Sequence, residues 1–340
     1  MVRLSISICF FINVVGCFNT DKIATTERLP PSGFLIKGIS IVAPVNPIDS
    51  KALLSITAIN ANSVAVMPYA FCSPENPVLQ YNHKGQWWGE SDEGVIGTIL
   101  SAHQKNLSVM LKPHLWIAHG MYTGAFTLQK EIEWQLWEAS YKDYILHFAK
   151  IADSMNAEIF CMGTELGTTI KARPQFWNSL IDSIKMIYHG KLTYAANWDD
   201  YKEFPFWKKL DYIGIDAYFP LSAEETPSTV SIKEGWSKYM VELERKSLEN
   251  KHPILFTEYG YRNVDYNCAE PWKDYNGRQN NEAQKNAMEA FYQSFAGKKW
   301  FAGGYVWKWY LDEGHHRREN IDFTPQNKPA AKVIERWYRN

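Results

Sequence analysis

Eight short apolar runs recur along the chain, each followed by a longer segment, and this rhythm limits the fold more than any single motif. The runs are residues 37–43 (KGISIVA), 63–67 (SVAVM), 108–112 (SVMLK), 158–162 (EIFCM), 192–196 (LTYAA), 212–216 (YIGID), 253–257 (PILFT) and 304–308 (GYVWK). Most are nearly continuously apolar, as strands covered on both faces must be. Helical periodicity follows most of them, over residues 92–105, 130–155, 174–188, 231–250 and 282–295. Within 130–155, Ile132, Leu136, Tyr144, Phe148 and Ile151 fall near one face. Pro174 suits the first position of a helix, where its missing donor would be unpaired anyway. Eight strands alternating with helices predict an α/β chain, a single (β/α)8 TIM barrel spanning residues 34–340. Only the interval 197–211 is cramped, with room for one short helix such as 203–209.

A barrel places its chemistry at the C-terminal ends of its strands. Those ends carry Pro68-Tyr69 with a loop holding Trp87, Trp88 and Glu90; Lys112, His114 and Trp116; Gly163-Thr164-Glu165; Asn197-Trp198-Asp199; Asp216 and Tyr218; Thr257-Glu258-Tyr259-Gly260-Tyr261; and Trp307 with Trp309. Glu165 and Glu258 each follow an apolar strand directly, where an unpaired charge is expensive. They are 93 residues apart, about three βα units of roughly 31 residues. One on the fourth strand and one on the seventh would face each other across the mouth, the minimum equipment for cleaving a glycosidic bond.

Composition agrees with such a site. The formal net charge is −1, which argues against a protein that coats nucleic acid or anionic lipid. Aromatic residues make up 15% of the chain, with 14 Trp, 19 Tyr and 17 Phe. That is more Trp than a core ordinarily needs, and flat aromatic faces suit the C–H faces of sugars. Neither GxGxxG nor GxxxxGK[ST] occurs, nor HExxH, nor GxSxG. No cofactor and no metal are expected.

GTE after the fourth run, TEYGY after the seventh and Trp at the eighth resemble the clan A glycoside hydrolases. The segments MPYAF, WWGE, LKPHLW, CMGTEL, LTYAANW, IGIDAYFPL, LFTEYGY and VWKW together resemble glycoside hydrolase family 113, the β-mannanase family, over about residues 34–340. The resemblance implies hydrolysis of β-1,4-mannosidic bonds in mannan or manno-oligosaccharides with retention. Glu165 would be the acid/base and Glu258 the nucleophile, their carboxyls about 5–5.5 Å apart. Burial and the charge of Glu258 would raise Glu165, and the Tyr218 hydroxyl would serve Glu258 as donor. The wider clan often carries Asn before the acid/base, where this chain has Thr164. Asn197, His114 or Lys112 would then take over the contact to the sugar 2-hydroxyl. Trp307 is the expected platform under the cleaved sugar and Trp309 its substitute, since strand alternation puts both on one face. Trp87, Trp88, Trp198 and Asp216 complete the expected substrate contacts. Tyr259-Gly260-Tyr261 is read as shaping a turn, and His315-His316-Arg317-Arg318-Glu319 as a solvated loop. The alternatives are another β-glycosidase, glucan- or exo-mannoside-acting, or a surface glycan-binding lipoprotein without turnover.

Residues 1–16 hold one Arg and a short apolar run, as a signal peptide does. Val14-Val15-Gly16-Cys17 resembles a bacterial lipoprotein box, which implies lipidation of Cys17. Residues 17–33 then read as a tether. The expected setting is the bacterial envelope, periplasm or cell surface, with membrane contact only through the lipid and the chain acting as a monomer. Cys72, Cys161 and Cys268 match no zinc spacing and are read as packing residues.

Overall fold

The computed structural model describes residues 33–273, 277–311 and 321–339. The signal peptide, Cys17, all but the last residue of the tether and the run from His315 to Glu319 lie outside these. Ten strands form: β1 (Ile36–Ile41), β2 (Ser63–Val66), β3 (Tyr69–Cys72), β4 (Ser108–Leu111), β5 (His114–Ile117), β6 (Ile159–Thr164), β7 (Lys191–Asn197), β8 (Ile213–Asp216), β9 (Ile254–Tyr259) and β10 (Phe301–Trp309). Eight close into a parallel barrel in the order β1-β10-β9-β8-β7-β6-β4-β2. The eight predicted runs are these eight strands. Around them lie α1 (Leu54–Ala58), α2 (Asp92–His103), α3 (Glu131–Ser154), α4 (Gly167–Ala172), α5 (Pro174–Lys185), α6 (Thr229–Asn250), α7 (Asn281–Phe295) and α8 (Pro329–Arg339). The chain folds as a (β/α)8 barrel. The cramped interval before β8 holds only the single 3-10 turn Trp207–Lys209.

Two apolar layers hold the barrel. The inner one packs Ile36, Ala65, Met110, Cys161, Ala195, Leu255 and Tyr305, and the Tyr305 hydroxyl shares a 2.9 Å hydrogen bond with Ser63 Oγ. At the closing seam Gly303 has φ 119°, and a Cβ there would lie 2.0 Å from the Ile36 carbonyl oxygen. Only glycine lets β10 approach β1 so closely. The outer layer, between sheet and helices, is where much of the tryptophan goes: Trp137, Trp177, Trp207, Trp236 and Trp337 are fully buried. This corrects the expectation that a core has little use for so much Trp. Each such ring is worth about 3–5 kcal/mol against alanine.

Helix α3 differs from its predicted face. Ile132 and Leu136 are exposed, while Trp134, Trp137, Tyr141, Tyr144 and Phe148 face the barrel. The larger aromatic stripe outweighs the aliphatic one for the same core. Strands β3 and β5 were not anticipated. They pair in parallel as a separate two-stranded ribbon beyond the ends of β2 and β4. Pro68 and Pro113 stand at the two breaks, where a missing donor interrupts the ladder. The predicted packing role of Cys72, Cys161 and Cys268 agrees with the structure, where all three are free and buried.

Candidate active site

The end of β9 carries Glu258, 6% exposed. Lys112, one residue past β4 and fully buried, reaches beneath it. Lys112 Nζ donates to Glu258 Oε1 at 2.5 Å and to Asp216 Oδ1 and Oδ2 at 3.1 and 3.3 Å. Thr257 Oγ1 donates to Asp216 at 2.7 Å, and the Tyr218 hydroxyl donates to Glu258 Oε2 at 2.8 Å. Both oxygens of Glu258 are thus held by donors from other strands. Burial alone would lower Lys112, but the charges of Asp216 and Glu258 outweigh it and raise it, so the ammonium persists. Burial first, then the Glu258 charge, pushes Asp216 up, against the pull of Lys112 and Thr257. One cation therefore serves two carboxylates, and removing it would strand both.

Glu165 sits just past β6 in the left-handed region, φ 53°. That conformation costs a non-glycine residue roughly 1–2 kcal/mol. Two hydrogen bonds hold the turn: Glu165 N–H to the Ala195 carbonyl at 2.8 Å, and Leu166 N–H to the Tyr194 hydroxyl at 2.6 Å. Burial, then the charges of Asp216 and Glu258, raises the Glu165 carboxyl well above the ordinary range. The expected direction and both expected causes are present, with Asp216 added.

Both glutamates line one cavity of about 650 Å³ at the barrel mouth, with Tyr218, His114, Asn197, Trp198, Asp216 and Trp307 also on its wall. Trp307 stacks on His114, centroids 6.2 Å apart and planes 10° apart. His114 Nε2 lies 3.7 Å from Glu258 Oε1. Burial and the Lys112 charge lower His114 well below its ordinary value, so the ring is neutral near pH 7. His114 Nε2 and Thr164 Oγ1 are buried polar atoms without a hydrogen-bond partner among the described residues.

Three expected contacts, Lys112, Trp88 and Trp309, take other roles. Lys112 is a floor beneath Glu258 rather than a wall. Asn197 does line the cavity, its Nδ2 donating to the Tyr122 hydroxyl at 2.8 Å and its Oδ1 accepting from Trp198 N–H at 2.9 Å. Trp88 anchors its loop, its backbone N–H on the Val45 carbonyl and its ring against Gly97. Trp309 is buried in the outer layer, its Nε1 donating to Ser55 Oγ at 3.0 Å. The register explains it, because Ile39 pairs with Val306 but Ile41 with Trp309, a bulge in β10. One extra residue reverses the alternation that would have matched Trp309 to Trp307. Trp87 lies outside this cavity, against a second one. Tyr259 and Tyr261 are buried, and a Cβ on Gly260 would lie 2.4 Å from the Trp307 carbonyl oxygen. This segment shapes the turn under Trp307. The lining also includes Tyr122, Phe323 and Trp272, which sequence reasoning missed. Trp272, exposed in a polar loop after Pro271, stacks on Trp198 with centroids 5.2 Å apart.

A sequence model of Glycoside Hydrolase Family 113 matches residues 49–338. The chain belongs to glycoside hydrolase family 113. As a member of that family it is a glycoside hydrolase. Solved structures share its barrel. A family 113 β-mannanase from Alicyclobacillus acidocaldarius, in complex with ManMIm, has TM-score 0.78 at 23% identity over 90% of this chain and 97% of that one. A family 113 β-1,4-mannanase has TM-score 0.78 at 22% identity over 90% and 99%. A β-glucuronidase from Ruminococcus gnavus has TM-score 0.61 at 14% identity over 90% of this chain and 50% of that one. No curated protein matches this family 113 chain by sequence.

Proposed function

We propose that this family 113 enzyme hydrolyses β-1,4-mannosidic bonds in mannan or manno-oligosaccharides by double displacement. The observation that carries the proposal is the unequal treatment of two glutamates in one cavity. Lys112 and Tyr218 orient both oxygens of Glu258, as a nucleophile requires. Glu165 is raised by burial and by neighbouring carboxylates, as an acid near neutral pH requires.

Glu258 attacks the anomeric carbon while Glu165 protonates the departing oxygen. The glycosyl ester that forms is then opened by water, from which Glu165 takes a proton. His114 Nε2 and Thr164 Oγ1, polar atoms of residues on the cavity wall, meet hydroxyls of the cleaved sugar. Trp307 lies under its apolar face. Mannose as the sugar is supported by the family and by the β-mannanases among the similar structures, at 22–23% identity. The test is reducing-sugar release from mannan, cellulose and xylan, with the anomeric configuration of fresh product followed by proton NMR. Preference for mannan and a retained β-product are expected. Faster release from cellulose overturns the substrate, and an inverted product overturns the mechanism.

We also propose lipid attachment at Cys17, which would hold the enzyme at a bacterial envelope. Labelled palmitate entering the full chain but not Cys17→Ala supports this, and equal labelling rules it out.

A further inference from the structure

Beside the catalytic cavity lies a second one of about 420 Å³, lined by Phe71, His83, Gly85, Gln86, Trp87 and Glu90. The mechanism makes no use of it. The ribbon of β3 and β5 joins the two. Its register pairs Tyr69 with His114 and Phe71 with Trp116. Alternation puts these four side chains on one face of the ribbon, while Ala70, Cys72, Leu115 and Ile117 turn into the core. The first pair borders the nucleophile: Tyr69 and His114 have ring centroids 5.1 Å apart, and His114 Nε2 is 3.7 Å from Glu258 Oε1. Two residues further along, Phe71 is half-buried and Trp116 is 55% exposed. That step is about 6.6 Å, close to the length of one pyranose unit.

The second cavity has the chemistry of a sugar site. Phe71 and His83 form one wall, their ring centroids 6.2 Å apart, and Trp87 is 45% exposed beside them. Flat rings suit the C–H face of a pyranose. Gln86 fixes the polar side. Its Nε2 donates to the Tyr69 carbonyl at 2.8 Å and to Glu90 Oε2 at 3.0 Å, and its Oε1 accepts from His83 N–H at 3.1 Å. The amide is thereby spent on the fold, and Glu90 is left as an oriented carboxylate, a natural acceptor for a pair of sugar hydroxyls. Gln86 also ties this cavity rigidly to Tyr69, on the wall of the catalytic one.

The strand order sets its direction. On the proposed mechanism the leaving group departs beside Glu165, whose neighbours include Tyr122 and Asp199. The second cavity belongs to the loop after β2, on the side of β1, where Trp88 N–H and Gly89 N–H bond to Val45 and Pro44. It therefore lies on the glycone side of the mouth.

We propose that the Phe71–Trp87–Glu90 cavity is a distal glycone subsite for a further sugar unit of the same chain, so that the enzyme gains rate with chain length and cuts inside polymers. This rests on the carbohydrate reading of the main site. The experiment is kcat/KM on oligosaccharides of three to six units for the parent, Trp87→Ala and Glu90→Gln, using both the manno- and cello-series. Melting temperatures check the fold, and the exposed position of Trp87 favours a folded variant. The parent's rates on the two series test the choice of sugar. The parent-to-variant ratio, on whichever series is cut, tests the subsite. It should rise with length, to about tenfold for Trp87→Ala on the hexamer, as expected for a lost stacking contact. Glu90→Gln should follow the same trend with a smaller ratio. A ratio that is the same at every length overturns the subsite. With a reducing-end label on the hexamer, Trp87→Ala should leave fewer units on the non-reducing side of the cut. A shift the other way overturns its placement on the glycone side.

Discussion

The ends of β9 and β6 both present a glutamate to the same cavity, and the fold treats them oppositely. Glu258 stands on a buried floor, with Lys112 and Tyr218 holding both oxygens and Asp216 and Thr257 behind them. Glu165 stands on a left-handed turn, where burial and neighbouring like charges raise its carboxyl above the ordinary range. If the pair is divided into acid and nucleophile as proposed, what lies behind each member makes the division, not the residue type. Each substitution below tests one half of that contrast.

The largest effect should come from Glu258→Gln, which loses the attacking oxygen. A fall in kcat on the order of 10⁴-fold or more is expected, the scale of losing a nucleophile, in an otherwise folded protein. Glu165→Ala should cost about 10²–10⁴-fold on polysaccharide, the worth of general acid catalysis. It should cost far less on an aryl glycoside whose leaving group needs no proton. If the two substrates suffer equally, Glu165 is not the acid and the contrast breaks. Lys112→Met leaves two buried carboxylates without their cation, and a loss of about 3–5 kcal/mol is expected in denaturant titration. A neutral result would mean that the floor is not held by charge. Tyr218→Phe removes one of two donors to Glu258 while keeping the ring. A hydrogen bond to a charged group is worth about 1.5–3 kcal/mol, so kcat should fall by roughly 10- to 100-fold with little change in KM.

The smallest effect sharpens the contrast through pH. Glu165 must be protonated, so kcat/KM falls as pH rises through its raised value. Asp216→Asn removes one of the charges that raise it, so the alkaline limb should move to lower pH. A shift to higher pH would contradict the electrostatic account. Stability has the same sign, because the folded chain holds this proton to higher pH than the unfolded one. The contribution of Glu165 is fully present below about pH 4.3 and falls away as pH rises through the folded value.

Much of this was legible before any coordinates. The eight barrel strands announce themselves as apolar runs because both their faces are covered. Glu165 and Glu258 stand out because a charge directly after such a run needs a purpose, and Tyr218 follows from asking where a donor could come from. The ribbon of β3 and β5 was hidden by Pro68 and Pro113, which read as loop. Lys112 was legible as important but not as buried, since a lysine after a strand is equally suited to a wall and to a floor. Trp309 was misplaced by a bulge, which no alternation rule can foresee. Trp87 and Trp137 look alike in a string of letters; only the packing tells a solvent-facing ring from a buried one.

The shared cation beneath Glu258 has a consequence over the catalytic cycle. The charges of Asp216 and Glu258 both bear on Glu165, and Lys112 offsets them in part. In the proposed double displacement, esterifying Glu258 would remove one of those charges and leave Lys112 with Asp216 alone. Glu165 would then be relieved of one repulsion after giving up its proton, ready to serve as the base for the incoming water. On that scheme the first half of the reaction would prepare the second.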